Sequence, residues 1–236
     1  MAFRGSLGKR KRDGVATRPQ KKMRRGRKMK RRQRRGRPYT KMMRQPVADK
    51  VMTRMNYSEV LSMSMTTSGV MQTYQFRNSI FDPDVTSAGH QPLWHDQMAL
   101  LYKRYRVHGI KYRFTIVNSN IQQMACFVVK HSSSGITDTN YNTLRERRGI
   151  QRTVLNPNTG PPRVIKGFMH AGKPHGLTKR DFLADEDFEA NFGSNPVKST
   201  YLELYGVMYH TNAIFYIQAD LQYYVELLDR IDASGS

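Results

Sequence analysis

The sequence predicts an all-β fold, either a sandwich or a barrel, from three observations. Residues 110–116 alternate apolar and polar side chains, and residues 215–225 do the same over a longer stretch. A period of two places the apolar side chains of such a stretch on one face of a strand. Helical spacing is rare, and long polar segments separate the strands, as in sandwiches and barrels. The alternation does not choose between these two and does not give the strand order.

Further strands are predicted from runs of apolar, aromatic and β-branched residues. They cover Met124–Val129, Arg163–His170 and Tyr201–Tyr209, with a turn at His210–Asn212 before the last strand. Two more segments, Val60–Thr66 and Val70–Phe76, predict a strand pair around Ser68-Gly69.

Helices are predicted in two places. A stripe recurs at helical spacing from residue 93 onward and is expected to pack into the core; it consists of Trp94, Met98, Leu101, Tyr102 and Tyr105. Asn140–Arg148 predicts a second, short helix. The proline-rich segment Asn156–Pro162 must be a loop, and residues 132–162 and 171–196 are expected to hold irregular surface loops.

The positive charge is concentrated near the N-terminus. Residues 1–44 hold 20 Lys and Arg and one acid, Asp13, or 20 − 1 = +19. Residues 45–236 hold 20 basic residues and 17 acids, or +3. This division predicts a basic arm over residues 1–44 and a near-neutral body over residues 45–236 that is large enough for one core. Because the arm has few apolar residues to offset chain entropy, we expect it to be disordered when free.

The arm is predicted to bind nucleic acid, which its charge density favours over a membrane surface. Its side chains would neutralise phosphates without reading bases, since no folded element fixes donors in a groove. The predicted contacts are Lys9, Arg10, Lys11, Arg12, Lys21, Lys22, Arg24, Arg25, Arg27, Lys28, Lys30, Arg31, Arg32, Arg34, Arg35 and Arg37. A subset resembles a bipartite nuclear localisation signal, which implies a nuclear import receptor as partner: Lys11, Arg12, Lys21, Lys22, Arg24 and Arg25.

The residues of the body give little support to other chemistry. Cys126 is the only cysteine, so one chain can form neither a disulfide nor a Cys-based zinc site. The pairs His90/His95 and His170/His175 lack a nearby cysteine partner. Without a Gly-rich phosphate loop or a Gly-x-Ser-x-Gly turn, we expect no enzyme, catalytic residue, metal or cofactor. Apolar runs are too short to span a membrane.

Two further sets of charged residues have competing interpretations. An acidic cluster is either a solvated loop, a divalent-cation site or a salt contact with a neighbouring subunit; it consists of Asp185, Glu186, Asp187 and Glu189. Five arginines outside the arm either contact nucleic acid or are solvated at the surface: Arg104, Arg106, Arg145, Arg147 and Arg148.

Three features together resemble the capsid proteins of circoviruses and related small circular single-stranded DNA viruses. They are the basic arm, the tyrosine-containing segment Leu101–Val117 that leads into a strand, and the final strand Ala213–Leu227. In order and spacing the resemblance covers nearly the whole chain. The arm departs from the family by containing Lys and Met, and residues 229–236 form no proline-rich tail.

The resemblance implies a single eight-stranded jelly roll with one or two short helices. It also implies self-assembly into an icosahedral shell of 60 copies, and localisation to the virion and the host nucleus. The inward arm would hold single-stranded DNA; no membrane insertion is expected, and the cell-surface receptor is left open. Sixty arms would carry roughly 1,100 positive charges, which suits a single-stranded genome on the order of one to two kilobases.

Two alternatives stay open on the residues alone. A capsid of a small RNA virus would have the same charge pattern, because DNA and RNA both offer phosphates. A cellular ribosomal or chromatin protein would bind nucleic acid without forming a shell.

Overall fold

The computed structural model describes residues 48–65, 71–86, 89–119, 124–147, 149–157, 160–208 and 213–232. These residues form nine strands and three short α-helices. In chain order the elements are β1 Val51–Met65, β2 Met71–Arg77, α1 His95–Ala99, β3 Tyr102–Asn118, β4 Ala125–Ser132, α2 Tyr141–Glu146, β5 Gln151–Leu155, β6 Arg163–His170, α3 Lys179–Ala184, β7 Glu189–Asn191, β8 Tyr201–Met208 and β9 Ala213–Arg230.

The strands form two antiparallel sheets. One has the order β1-β9-β3-β6, with the short β7 also paired to β3; the other has the order β2-β8-β4-β5. Leaving β7 aside, the first of eight strands pairs with the last, the second with the seventh, the third with the sixth and the fourth with the fifth. This is one long hairpin wrapped into two packed sheets, which is the topology of a jelly roll. The predicted all-β jelly roll is confirmed.

The two alternating stretches form the middle of the first sheet. β3 and β9 pair along nearly their whole length, with Tyr112 opposite Leu221 and Ile116 opposite Ile217. All the predicted inward side chains of both strands are buried, and those between them face outward. The predicted strands at Met124–Val129, Arg163–His170 and Tyr201–Tyr209 are also present, and none of their ends differs by more than three residues.

The stripe predicted as a helix from residue 93 onward is divided between a short helix and a strand. α1 has five residues, and Tyr102 and Tyr105 belong to β3. The register of β3 shifts between Val107 and Gly109. Such a bulge moves the inward positions from odd to even residue numbers, so the spacing of buried residues departs from two. Trp94 is 60% exposed and therefore outside the core that it was expected to join.

Two other predictions need correction. The strands at 60–66 and 70–76 exist, but they do not pair with each other: β1 pairs with β9, and β2 pairs with β8 in the other sheet. Residues 132–162 and 171–196 are less irregular than expected, because the first segment contains α2 and β5 and the second contains α3 and β7. The Thr178 side chain caps α3 by accepting a hydrogen bond from the Asp181 amide, a local signal that favours a helix start. The second predicted helix is confirmed as α2.

The buried His131 gives the fold a dependence on pH. Burial, followed by the charges of Lys173 and His170, lowers the pKa of His131 to about 4, and its Nε2 lies 3.0 Å from the Tyr112 hydroxyl. The unfolded chain therefore binds a proton at a higher pH than the folded one. We expect stability to fall by about 2–3 kcal/mol as the pH drops from 6.5 to about 4.

Urea unfolding at a series of pH values tests this expectation. The His131→Asn variant should lose the fall in stability that His131 causes between pH 6.5 and about 4, whatever its effect on absolute stability. His90→Asn is the matched control: hydrogen bonds to the Gln91 and Ser58 carbonyls raise the pKa of His90, so its contribution has the opposite sign. An unchanged slope in His131→Asn would contradict the assignment.

Candidate nucleic-acid interface

The predicted arm contacts, Lys9 to Arg37, and the six residues of the localisation signal all lie outside the described residues. The first residue that the structure describes is Ala48, which follows the arm at residues 1–44. The Ala48 carbonyl accepts a 2.9 Å hydrogen bond from the Tyr102 hydroxyl, and Asp49 lies 3.9 Å from Arg230. The body therefore holds residues 48–49 beside the start of β3 and the end of β9. The turn at His210–Asn212 and the side chain of Arg148 also lie outside the described part.

Arg104 and Arg106 are engaged within the body rather than available for phosphates. Arg106 is 4% exposed and donates to Glu189 at 2.5 Å and to the Leu183 carbonyl at 2.8 Å. Arg104 donates to the other oxygen of Glu189 at 2.6 Å and also pairs with Asp229. The hydrogen bond from Arg104 lowers the pKa of Asp229. Arg106 is therefore buried in an ion pair instead of solvated at the surface, and Arg104 is held by two carboxylates.

The acidic cluster forms ion pairs within the body. Lys198 pairs with Asp185 at 2.7 Å and with Asp187 at 2.9 Å, and Glu189 bridges the two arginines of β3. Within the described ranges no group of three or more His, Cys, Asp or Glu side chains is placed to hold a metal ion. The cluster ties the segment before β8 to the first sheet.

The arginines near α2 are also partly engaged. Arg147 and Lys130 pair with Asp138, each at 2.7 Å, and Arg145 lies over the ring of Tyr141 at 5.5 Å. Burial would raise the pKa of Asp138, but the hydrogen bonds from Lys130 and Arg147 outweigh burial and lower it. Asp138 thereby anchors the α2 segment on the outer face of the second sheet.

The outer face of the first sheet carries basic residues that are exposed. Arg54, Lys111, Arg113 and Lys166 project from β1, β3 and β6. Cross-strand register places Arg113 opposite Lys166 and Lys111 opposite Phe168. In the part of the chain that is described, Lys111, Arg113 and Lys166 form no ion pair. The sequence indicated this face only through Lys111 and Arg113, which are polar residues of the alternating stretch 110–116. That alternation predicted that their side chains face outward, but not that other cations lie beside them.

Aromatic side chains lie among these cations. The rings of Phe168 and Tyr224 meet edge to face at 5.4 Å, and the guanidinium of Arg54 lies 5.2 Å from the centre of the Tyr224 ring. A groove of about 930 Å³ runs over this surface. We call it the basic groove, defined by Lys111, Arg113, Lys166, Phe168 and Tyr224.

A separate apolar patch surrounds α1. Leu93, Trp94, Leu100 and Leu101 are 72%, 60%, 76% and 42% exposed. Trp94 has a φ of 77°, a left-handed conformation that is uncommon for residues other than glycine. Four large apolar side chains exposed within nine residues are typical of a surface that another protein covers.

No family model and no curated protein matches this chain. Among solved structures, the decameric BFDV capsid protein is similar over 75% of this chain and 99% of its own, at 12% identity and a TM-score of 0.46. The 60-mer form of the same protein is similar over 79% and 97%, at 11% identity and a TM-score of 0.46. The Macrobrachium rosenbergii nodavirus particle is similar over 81% and 100%, at 13% identity and a TM-score of 0.43.

These neighbours include the circovirus capsid proteins that the sequence resembles. Because the identities are near 12% and the TM-scores are below 0.5, the fold assignment rests on the strand pairing described above. Among the residues described, no helix has both the length and the apolar character needed to cross a bilayer.

Proposed function

We propose that this protein is a viral capsid protein without enzymatic activity. Copies of the jelly-roll body assemble into a closed shell, and the basic arm packages single-stranded nucleic acid, with DNA favoured over RNA. The observation that carries the proposal is the separation of charge: a +19 arm precedes a jelly-roll body of net charge +3. A near-neutral body can pack against copies of itself without strong repulsion, while the arm supplies the cations that a genome needs.

The shell is proposed to hold 60 copies, the number in one of the similar BFDV capsid structures. The arm would also act as the nuclear localisation signal through its two basic clusters, Lys11-Arg12 and Lys21–Arg25. Assembly in the host nucleus follows from that role, and localisation to the virion follows from the role as a capsid protein.

The test is to purify the full chain, image it by negative-stain electron microscopy and sequence the nuclease-protected nucleic acid. Closed shells that protect single-stranded DNA are expected. Shells that protect only RNA would favour an RNA virus, and discrete subunits at every salt concentration and pH would favour a cellular binding protein; either result would refute the proposal as stated.

The apolar patch around α1 is expected to lie in a contact between copies of the chain. Trp94→Ser should reduce shell formation at least about tenfold, because a buried aromatic anchor commonly contributes 2 kcal/mol or more to an interface. Light scattering during assembly measures the loss. Leu183→Ser on α3 is the control, since that side chain is 39% exposed but lies outside the patch. Normal assembly of Trp94→Ser would exclude the patch from the contact.

A further inference from the structure

We propose that the basic groove is a second binding site for single-stranded nucleic acid, in addition to the arm. Bases stack on Phe168 and Tyr224, while Lys111, Arg113 and Lys166 contact the phosphates. This inference rests on the proposed function and gives the folded body its own part in packaging.

The charge of the groove favours a polyanion. Lys111, Arg113 and Lys166 are exposed and lack a carboxylate partner among the described residues, in contrast to Arg104, Arg106 and Lys198. Asp220 is the carboxylate that lines the groove, and it accepts a 2.8 Å hydrogen bond from the Ser58 hydroxyl. Three cations against one carboxylate leave an excess of positive charge in a concave surface, which concentrates phosphates.

The aromatic rings favour a nucleic acid over an acidic peptide. Phe168 is 38% exposed on the outer face of β6, the strand at the edge of the first sheet. Gly109 lies beneath it: a Cβ there would come within 2.6 Å of the Phe168 ring, so glycine lets this ring lie close to the sheet. Tyr224 stands next to it on β9. The exposed ring of Phe168 and the half-buried ring of Tyr224 lie among cations. Such a surface is one on which single strands stack their bases without sequence preference.

The groove also extends along the sheet. Phe168 and Tyr224 line a second cavity of about 440 Å³ that is bordered by the exposed Lys173 and Lys179. A single strand of nucleic acid whose bases stack on the two rings would therefore have cations on either side of it. By contrast, the α2 segment covers part of the outer face of the second sheet, where Leu144 packs on Val128 and Tyr205.

Photocrosslinking of the full chain tests the proposal. Oligothymidine containing 5-iodouracil is bound to the protein, irradiated, and the adducts are mapped by mass spectrometry. Adducts are expected at Phe168 and Tyr224 as well as in the arm. The matched control is the outer face of the second sheet, where Tyr141 and Arg152 offer an aromatic ring and a cation on the opposite side of the body.

Two sets of variants sharpen the test. Phe168→Leu with Tyr224→Leu should remove the body adducts and weaken oligothymidine binding about tenfold or more, since each stacked base contributes roughly that factor. Lys111→Gln, Arg113→Gln and Lys166→Gln together should lower the slope of log affinity against log salt by about two, at 0.7 for each phosphate contact. Arg152→Gln should change neither quantity.

The outcomes separate this inference from the proposed function. Adducts in the arm without adducts in the groove would overturn the second site and leave packaging by the arm intact. Equal adducts on both sheets would also overturn it. Crosslinks from Lys111 or Lys166 to an acidic segment of another copy, without nucleotide adducts, would assign the groove to a protein contact instead. Loss of all adducts would refute the proposed function itself.

Discussion

Deletion of residues 1–44 is expected to abolish packaging of nucleic acid and to leave a folded body. The deletion removes +19 of the net charge of +22. Because counterion release supplies most of the affinity for a phosphate backbone, nuclease-protected nucleic acid per subunit should fall at least about a hundredfold. The described jelly roll begins at residue 48, so its paired strands survive the deletion. Circular dichroism and the amount of protected nucleic acid measure the two results.

Two variants of equal length distinguish charge from chain length. Replacing the sixteen predicted arm contacts with Gln should reproduce the deletion, whereas exchanging every Arg among them for Lys should retain most of the packaging. Fluorescent fusions of the same variants report nuclear entry, which the Gln variant should lose. A truncated body that packages as much nucleic acid as the full chain would show that binding resides elsewhere.

The strands were predictable where one face of the sheet is buried. β3 beyond its bulge, and β9 from residue 215 to 225, alternate strictly, so their inward faces could be assigned from sequence alone. The pairing was not predictable in this way, because the contacts of a jelly roll join distant parts of the chain: β1 pairs with β9 from Met65 opposite Ala213 to Val51 opposite Leu227. The expectation that β1 and β2 form a hairpin failed for this reason. The resemblance to capsid proteins, rather than periodicity, supplied the jelly roll.

The two proposed binding surfaces, the arm and the basic groove, also differ in how far they could be predicted from sequence. The arm was predictable because its charge is contiguous in sequence. The basic groove was not, since Lys111, Lys166 and Tyr224 come from three strands and meet only through the register of the sheet. Sequence reasoning also treated Arg106 and Glu189 separately as surface charges, although the pairing of β7 with β3 buries them together.

That buried pair carries the largest expected effect on stability. Glu189→Ala should lower the free energy of unfolding by up to about 3–5 kcal/mol, because it leaves the buried charge of Arg106 with only the more distant carboxylate of Glu226, 4.0 Å away. The side chains of Arg106 and Glu189 are 5% and 11% exposed, and Glu189 also holds Arg104 at 2.6 Å. Urea unfolding of dissociated subunits at neutral pH measures the change.

Two further variants determine whether burial causes this loss. Asp187→Ala removes a carboxylate that is 49% exposed, and its partner Lys198 keeps Asp185, so the cost should stay within about 1 kcal/mol. Replacing Arg106 with Met and Glu189 with Leu together removes both charges at similar volume. That double variant should recover most of the loss, since the cost of the single change arises from a buried charge that has lost its close partner rather than from the missing attraction. A double variant as unstable as Glu189→Ala would instead assign the loss to Arg104, which would still lack one of its two carboxylates.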